Sequence, residues 1–189
     1  RFCLKQADVR LLIFSDEFLG IDFRALLQSA EPAIATALPG EQLPELRQAV
    51  MMGSSDLPAG CISYEDFMST GESVTPAELE TLAASVKSDD VLLIQYTSGT
   101  TSFPKGVMLS HANMLLDAQA AAKRMGVRAD DRYFSIRPFF HVAGSTLSVL
   151  VSVSTGCCLL SLPKFDVAEN LAILDRERCS LISRSEEHT

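Results

Sequence analysis

Gln95-Tyr96-Thr97-Ser98-Gly99-Thr100-Thr101-Ser102-Phe103-Pro104-Lys105-Gly106-Val107-Met108-Leu109-Ser110-His111 is the most specific segment of the chain. Val91 to Tyr96, leading into it, is an apolar run suited to a strand, and Gly106 to Leu109 is strand-like again. Between them stand small hydroxyl residues, a glycine and a proline-braced lysine. Glycine lets the backbone take positive φ and approach a ligand, successive amides form an anion-binding concavity, and hydroxyls and an ammonium donate to phosphate oxygens. The loop thus has the parts of a phosphate cradle. A serine- and threonine-rich surface turn is the alternative that these residue types alone leave open.

Two familiar phosphate loops are excluded. A Walker loop needs G-x-x-x-x-G-K-[S/T], whereas four residues beyond Gly99 the second glycine is replaced by Pro104, and Lys105 is followed by Gly106 rather than a hydroxyl residue. The dinucleotide fingerprint G-x-G-x-x-G is absent as well.

Outward from the loop, strands and helices alternate. Ser110 can cap a helix to Met125, with Ala112, Leu115, Leu116, Ala118, Ala122 and Met125 as its apolar side and Gly126 as its stop. Arg132 to Ile136 reads as a strand delivering Arg137-Pro138-Phe139-Phe140-His141. A helix over Gly144 to Ser154, a strand over Cys157 to Leu162, a helix from Asp166 to about Arg178 and a strand from Cys179 to Ser183 complete this half. Upstream, Val9 to Ser15 predicts a buried strand, and Phe23 to Leu38 a helix that Pro32 kinks or divides. Gln48 to Met52 predicts a strand and Tyr64 to Ser69 a short helix, while Thr75-Pro76-Ala77-Glu78 opens a capped helix to about Val86. The alternation predicts an α/β layered fold with a largely parallel sheet and flanking helices. There is no internal repeat, low-complexity segment, linker or evident domain boundary.

Composition narrows the function classes. The 189 residues, 47% of them hydrophobic, suit one ordinary domain with a sizeable core. A net charge of −8 argues against a nucleic-acid partner and leaves no polybasic membrane patch, so a bound anion must be met locally. Five cysteines without C-x-x-C spacing and three histidines make no metal-ligand pattern, so no metal site is assigned to protein side chains. The odd cysteine count fits a reduced, cytoplasmic protein. Val142 to Pro163 is uncharged and long enough for a membrane span, but its serines, threonines and Gly156 favour a buried helix followed by a strand.

The string Tyr96 to His111 resembles the phosphate-binding signature of the adenylate-forming superfamily of AMP-dependent synthetases and ligases, with Ser102 where the family commonly has glycine. Pro138 to Gly144, P-F-F-H-V-A-G, resembles that family's aromatic-histidine motif about forty residues downstream, and Leu162 to Asp166, L-P-K-F-D, brings the likeness nearest to acyl-CoA synthetases. The resemblance covers Arg1 to Ser183 and implies a partial N-terminal AMP-binding domain, truncated at both ends. It implies a ligase of fatty acid metabolism that activates a carboxylic acid, a fatty acid being the expected class, with ATP and Mg2+ to an acyl-adenylate and pyrophosphate. The acyl group then passes to coenzyme A. On this likeness Thr97, Ser98, Gly99, Thr100, Thr101 and Lys105 bind the phosphates, with Lys105 supporting catalysis. Phe140, His141 and Gly144 border the acyl pocket, and His141 is also a catalytic candidate.

No Y-G-x-T-E-type motif, later ribose-binding aspartate, hinge or terminal catalytic lysine follows, so the isolated chain is expected to be inactive. Phe2-Cys3-Leu4 reads as a helix already in progress, which implies sequence upstream of Arg1. The final residues, Arg184 to Thr189, match the translation of a sequencing adapter and are read as a non-native tail. Two other classes stand beside the ligase: a nucleotide-binding module without catalysis, and a structural or interaction protein whose loop is only a turn. ATP titration of Thr100→Ala and Lys105→Ala variants separates the last from the other two. Acyl chain length and oligomeric state are carried by no motif in the chain.

Overall fold

The computed structural model describes residues 1–53, 56–97 and 103–183. The chain divides into two compact units, one formed by Arg1–Val86 with Tyr96–Gly106 and the other by Lys87–Gln95 with residues 107–189. Of the three crossings, those at Gln95–Tyr96 and Gly106–Val107 fall inside strands of the central stretch, and the one at Val86–Lys87 lies between a helix and a strand. Composition marks linkers, and a crossing inside a strand has none to show.

The first unit opens with helix α1 (Phe2–Gln6) and strand β1 (Leu11–Ser15), followed by the short antiparallel pair β2 (Glu17–Phe18) and β3 (Ile21–Asp22). Asp22 then caps α2 (Phe23–Ala30) by accepting from the Ala25 amide at 2.9 Å. The helix ends where Pro32 cannot supply an amide hydrogen, and a 3-10 turn (Pro32–Ala35) replaces the second half of the predicted helix. Strand β4 (Gln48–Met52) lies between β1 and β5 (Cys61–Ser63), parallel to both, with Leu11 opposite Gln48 and Ala49 opposite Cys61. Phe14, Leu27, Ile34, Leu46 and Met51 form the core around it. The expectation of a buried strand at Val9–Ser15 is half right: Phe14 is buried, while Leu11 and Ile13 are exposed. Alternate side chains of a strand point to opposite faces, and the core covers only the face that carries Leu12 and Phe14.

Glu31, 1% exposed, organises the loop after α2. Its carboxyl oxygens accept from the Leu43 amide at 2.6 Å and the Ala33 amide at 3.1 Å. Helices α3 (Tyr64–Thr70) and α4 (Pro76–Ser85) follow, the latter with the full capping box between Thr75 and Glu78 that its spacing predicts.

Strands β6 (Val91–Thr97) and β7 (Lys105–Ser110) pair with each other, and α5 (His111–Met125) follows at once. Ser110 and Asn113 make a reciprocal capping box, and Gly126 ends the helix at φ 68°. The buried side of α5 is Met114, Ala118 and Ala122, whereas Leu115, Leu116 and Met125, expected on the apolar side, are exposed.

In the second unit, β8 (Arg132–Ser135) is the central strand of a parallel sheet ordered β10-β8-β9, formed with β9 (Cys158–Leu160) and β10 (Leu181–Ser183). Parallel neighbours require long crossovers, and helices supply them. The helical run between β8 and β9 comprises α6 (Val142–Gly144), a π-helical segment (Ser145–Leu150) and α7 (Val151–Thr155). Helix α8 (Val167–Arg176), capped by Asp166, connects β9 to β10. Ala118, Ala122, Tyr133, Val151 and Cys157 form the core of this unit. No helix among the described residues is long and apolar enough to cross a membrane.

Candidate functional site

The predicted residues fall into two groups, each within one unit. In the first, Thr97 is the last residue of β6 and Lys105 the first of β7, so the paired strands hold the two ends of the loop. Ser98, Gly99, Thr100 and Thr101, with Ser102, lie outside the described residues. Both flanks of the loop are anchored. The Tyr96 hydroxyl donates to the Cys3 carbonyl at 3.0 Å, and desolvation, with a smaller contribution from Cys3, raises its phenol above the ordinary value. Phe103 stacks on Phe2 with ring centroids 5.4 Å apart and planes 24° from parallel. The Thr97 hydroxyl and the exposed Lys105 ammonium are hydrogen-bond donors, the chemistry that an ATP phosphate requires. Lys105 has no ion-pair partner among the described residues.

Magnesium fits less well. No group of three or more histidine, cysteine or acidic side chains among the described residues could hold a metal ion, so no step is assigned to one here.

The second group is brought together by a single turn. Phe140, His141 and Gly144 follow the carboxyl end of β8, the middle strand of its sheet, which is where open α/β sheets bind ligands. The His141 amide donates to the Pro138 carbonyl at 3.1 Å, and the His141 carbonyl accepts from the amides of Gly144 at 2.8 Å and Ser145 at 3.0 Å. His141 also caps the helix that follows it, Nδ1 accepting from the Ala143 amide at 3.1 Å. Gly144 is buried, and a Cβ there would stand 2.1 Å from the Pro138 oxygen. Only glycine lets the helix start pack this closely on the turn. Phe140 is 83% exposed, so its ring is free to meet a ligand.

Three features of this turn were not legible in the sequence. Gln95, the residue just before the signature, donates from Nε2 to the Phe140 carbonyl at 3.2 Å. The helix predicted over Gly144–Ser154 contains a π-helical segment, a form frequent at functional sites. That segment is held by hydroxyls: Tyr133 donates to the Leu147 carbonyl at 3.0 Å, and the Ser135 and Ser148 hydroxyls lie 2.7 Å apart, buried. The only sequence sign of this was an unusual density of serine and threonine in an otherwise apolar run.

Residues 1–184 match the family model for AMP-binding enzyme. Among curated proteins, the chain is 36% identical over 185 residues to YngI of Bacillus subtilis (strain 168), an acyl-CoA synthetase by name, covering 96% of this chain and 34% of that protein. It is 32% identical over 180 residues to a 3-[(3aS,4S,7aS)-7a-methyl-1,5-dioxo-octahydro-1H-inden-4-yl]propanoyl:CoA ligase of Rhodococcus jostii (strain RHA1), covering 95% and 33%. Among solved structures, the anthranilate CoA ligase AuaEII in complex with anthranoyl-AMP shares the fold, with a TM-score of 0.69 at 24% identity over 96% of this chain and 32% of that one. The chain thus spans about a third of the length of the relatives it matches. With a parallel α/β fold, the loop signature between paired strands and the histidine turn at a strand's carboxyl end, the chain belongs to the AMP-binding enzyme family.

Proposed function

We propose that this chain is the phosphate-binding and acyl-side part of an acid–thiol ligase. The reaction joins a carboxylic acid, a fatty acid in the first instance, to the α-phosphate of ATP with loss of pyrophosphate, and then transfers the acyl group to the thiol of coenzyme A. The observation that carries this reading is the family match over residues 1–184, which spans both the β6–β7 loop and the His141 turn. Both relatives described above are ligases or synthetases of acyl-CoA by name, which supports coenzyme A as the acceptor.

The chemistry asked of these residues is modest. Phosphate displacement needs charge stabilisation and alignment more than covalent help from the protein. Thr97 and the loop residues Ser98 to Thr101 supply donors to the phosphates, and the Lys105 ammonium offsets charge on the departing pyrophosphate. Phe140 offers an apolar face to the body of the acid. The compartment we propose is the cytoplasm, supported by five cysteines that are all free thiols.

The test is acid-dependent ATP–pyrophosphate exchange by the reading frame that carries this chain, against a series of straight-chain and aromatic carboxylic acids. Exchange should require the acid, and Lys105→Ala should lower its rate by roughly 100-fold, the scale on which removing one charge-stabilising donor acts. Exchange with no acid, or an unchanged rate in the variant, refutes the reading.

A further inference from the structure

We propose that the hydroxyls of Ser148, Ser135, Ser183 and Tyr133 form a one-way hydrogen-bond chain that holds the π-helical segment, and that Tyr133, at its end, is a positioning residue for the Pro138–Gly144 turn. The part this turn plays in binding the acid rests on the ligase reading; the chain itself is read from geometry alone.

The helix after the turn departs from α geometry at one amide. In an α-helix the Val151 N–H would donate to the Leu147 carbonyl, four residues back. Here it donates to the Thr146 carbonyl, five residues back, and to that of Ser148. The Leu147 carbonyl accepts from the Tyr133 hydroxyl at 3.0 Å. Tyr133, buried in the central strand β8, thus supplies a donor in place of the Val151 amide.

The order of donors along the chain follows from counting protons. A hydroxyl has one proton and two lone pairs, and a carbonyl can only accept. The Tyr133 proton is spent on Leu147, so in the 2.9 Å contact between Tyr133 and Ser183 the proton comes from Ser183. Ser183 has then none left for the Ser135 hydroxyl, 3.3 Å away, and Ser135 must donate. By the same count Ser148 donates to Ser135 across 2.7 Å, both side chains being buried. The chain therefore runs from Ser148 through Ser135, Ser183 and Tyr133 to the Leu147 carbonyl.

These bonds grip the turn at both ends. Before it, the Arg137 amide donates to Ser135 Oγ at 3.3 Å and fills that oxygen's second lone pair. After it, Leu147 and Ser148 lie in the helical segment that begins directly beyond Gly144. Were Val151 to take its α-helical partner instead, the residues before it would shift by one position, about 100° around the helix axis. The turn that carries Phe140 would shift with them. Holding the register in advance spares the acid that reorganisation when it binds.

Crystal structures of the protein encoded by the full reading frame, and of its Tyr133→Phe variant, read the register directly. Val151 should bond Thr146 in the parent and Leu147 in the variant. An α-helical parent, or an unchanged π-helical segment in the variant, overturns the proposal. Kinetics use acid-dependent ATP–pyrophosphate exchange with the best acid of the series above. Tyr133→Phe should lower kcat/KM for the acid by roughly 10-fold or more, with KM for ATP within about 2-fold. An unchanged value, or a fall in kcat with both KM values unmoved, is what a merely structural network would give and overturns the positioning role. Ser148 gives a proton to the chain and takes none from it, so Ser148→Ala should cost about 3-fold or less. A loss as large as that of Tyr133→Phe overturns the donor order. Should Tyr133→Phe fail to fold, the Ser183 pair carries the test: Ser183→Ala should lose roughly 10-fold in kcat/KM for the acid, and Ser183→Thr, which keeps the hydroxyl, should regain most of it. Equal activity in the two overturns the chain. Failure of the ligase reading looks different: the parent protein shows no acid-dependent exchange, while its crystal structure still shows which carbonyl Val151 bonds.

Discussion

Gly144→Ala is the sharpest test of how the turn is built. The added Cβ would lie 2.1 Å from the Pro138 oxygen, 2.6 Å from its carbonyl carbon and 3.0 Å from the Phe139 Cα. These are backbone atoms, so no side chain can swing away. Ordinary carbon–oxygen contact begins at about 3.3 Å, so the carbonyl must recede by about 1 Å. The same oxygen accepts the His141 amide at 3.1 Å, and moving it sacrifices that bond. Overpacking of this kind costs about 1–3 kcal/mol and the lost bond about 1 kcal/mol more, for a total of about 2–4 kcal/mol. Gly71 supplies the control: it has helical φ and ψ, and nothing stands within 4 Å of its added Cβ. Gly71→Ala should be neutral or stabilising by up to about 1 kcal/mol. Urea unfolding of the three chains measures both effects, with midpoints compared at constant slope. A Gly144→Ala chain within about 0.5 kcal/mol of the parent would refute the close approach described here.

Two further predictions concern the frame around the site. Glu31→Gln replaces one of the oxygens that accept from Leu43 and Ala33 by an amide that can only donate, inside a pocket that leaves the side chain 1% exposed. A loss of about 2–4 kcal/mol in urea unfolding is expected, and Glu31→Asp should not restore it because the shorter arm cannot span both amides. On the acid side, three carboxyls are held below their ordinary range: Glu78 by the Thr75 amide and hydroxyl, Asp131 by the Ser180 hydroxyl and then the Arg128 amide, and Glu177 by Arg176 first and then Arg132. Folded values below unfolded ones mean that the unfolded chain binds more protons, so this stability is present above the unfolded values of about 4 and is lost as pH falls through the folded ones. The thermal midpoint should therefore fall below about pH 4, less steeply in Asp131→Asn, and a midpoint that rises on acidification contradicts the assignment.

Much of the local structure could be read directly from residue types. The Thr75–Glu78 and Ser110 caps, the Gly126 stop and the division at Pro32 rest on interactions within a few residues, and each appears where its spacing places it. The parallel alternation of strands and helices was legible for the same reason, since periodicity reports which face of each element is apolar. The helix over residues 142–155 was legible as helix but not as π-helix. It is hydrogen-bonded by Tyr133 and Ser135, which reach it from a strand more than ten residues away in the chain. Burial was misjudged at Leu11, Ile13, Leu115, Leu116 and Met125, because a hydrophobic pattern shows that a residue could be covered and not whether a neighbour covers it.

The candidate site divides in the same way. The two junctions, their donors and their family are legible in residue types alone, because glycine, hydroxyl, lysine and histidine side chains at fixed spacing carry that chemistry wherever the chain folds. Which atoms remain available depends on contacts made across the fold. Gln95 and Phe140 are far apart in sequence, and Gly144 is required by a carbonyl rather than by its own neighbours. Which nitrogen of His141 keeps its proton follows from the amide it caps. Hydrogen-bond donors are properties of residues; their partners are properties of the fold.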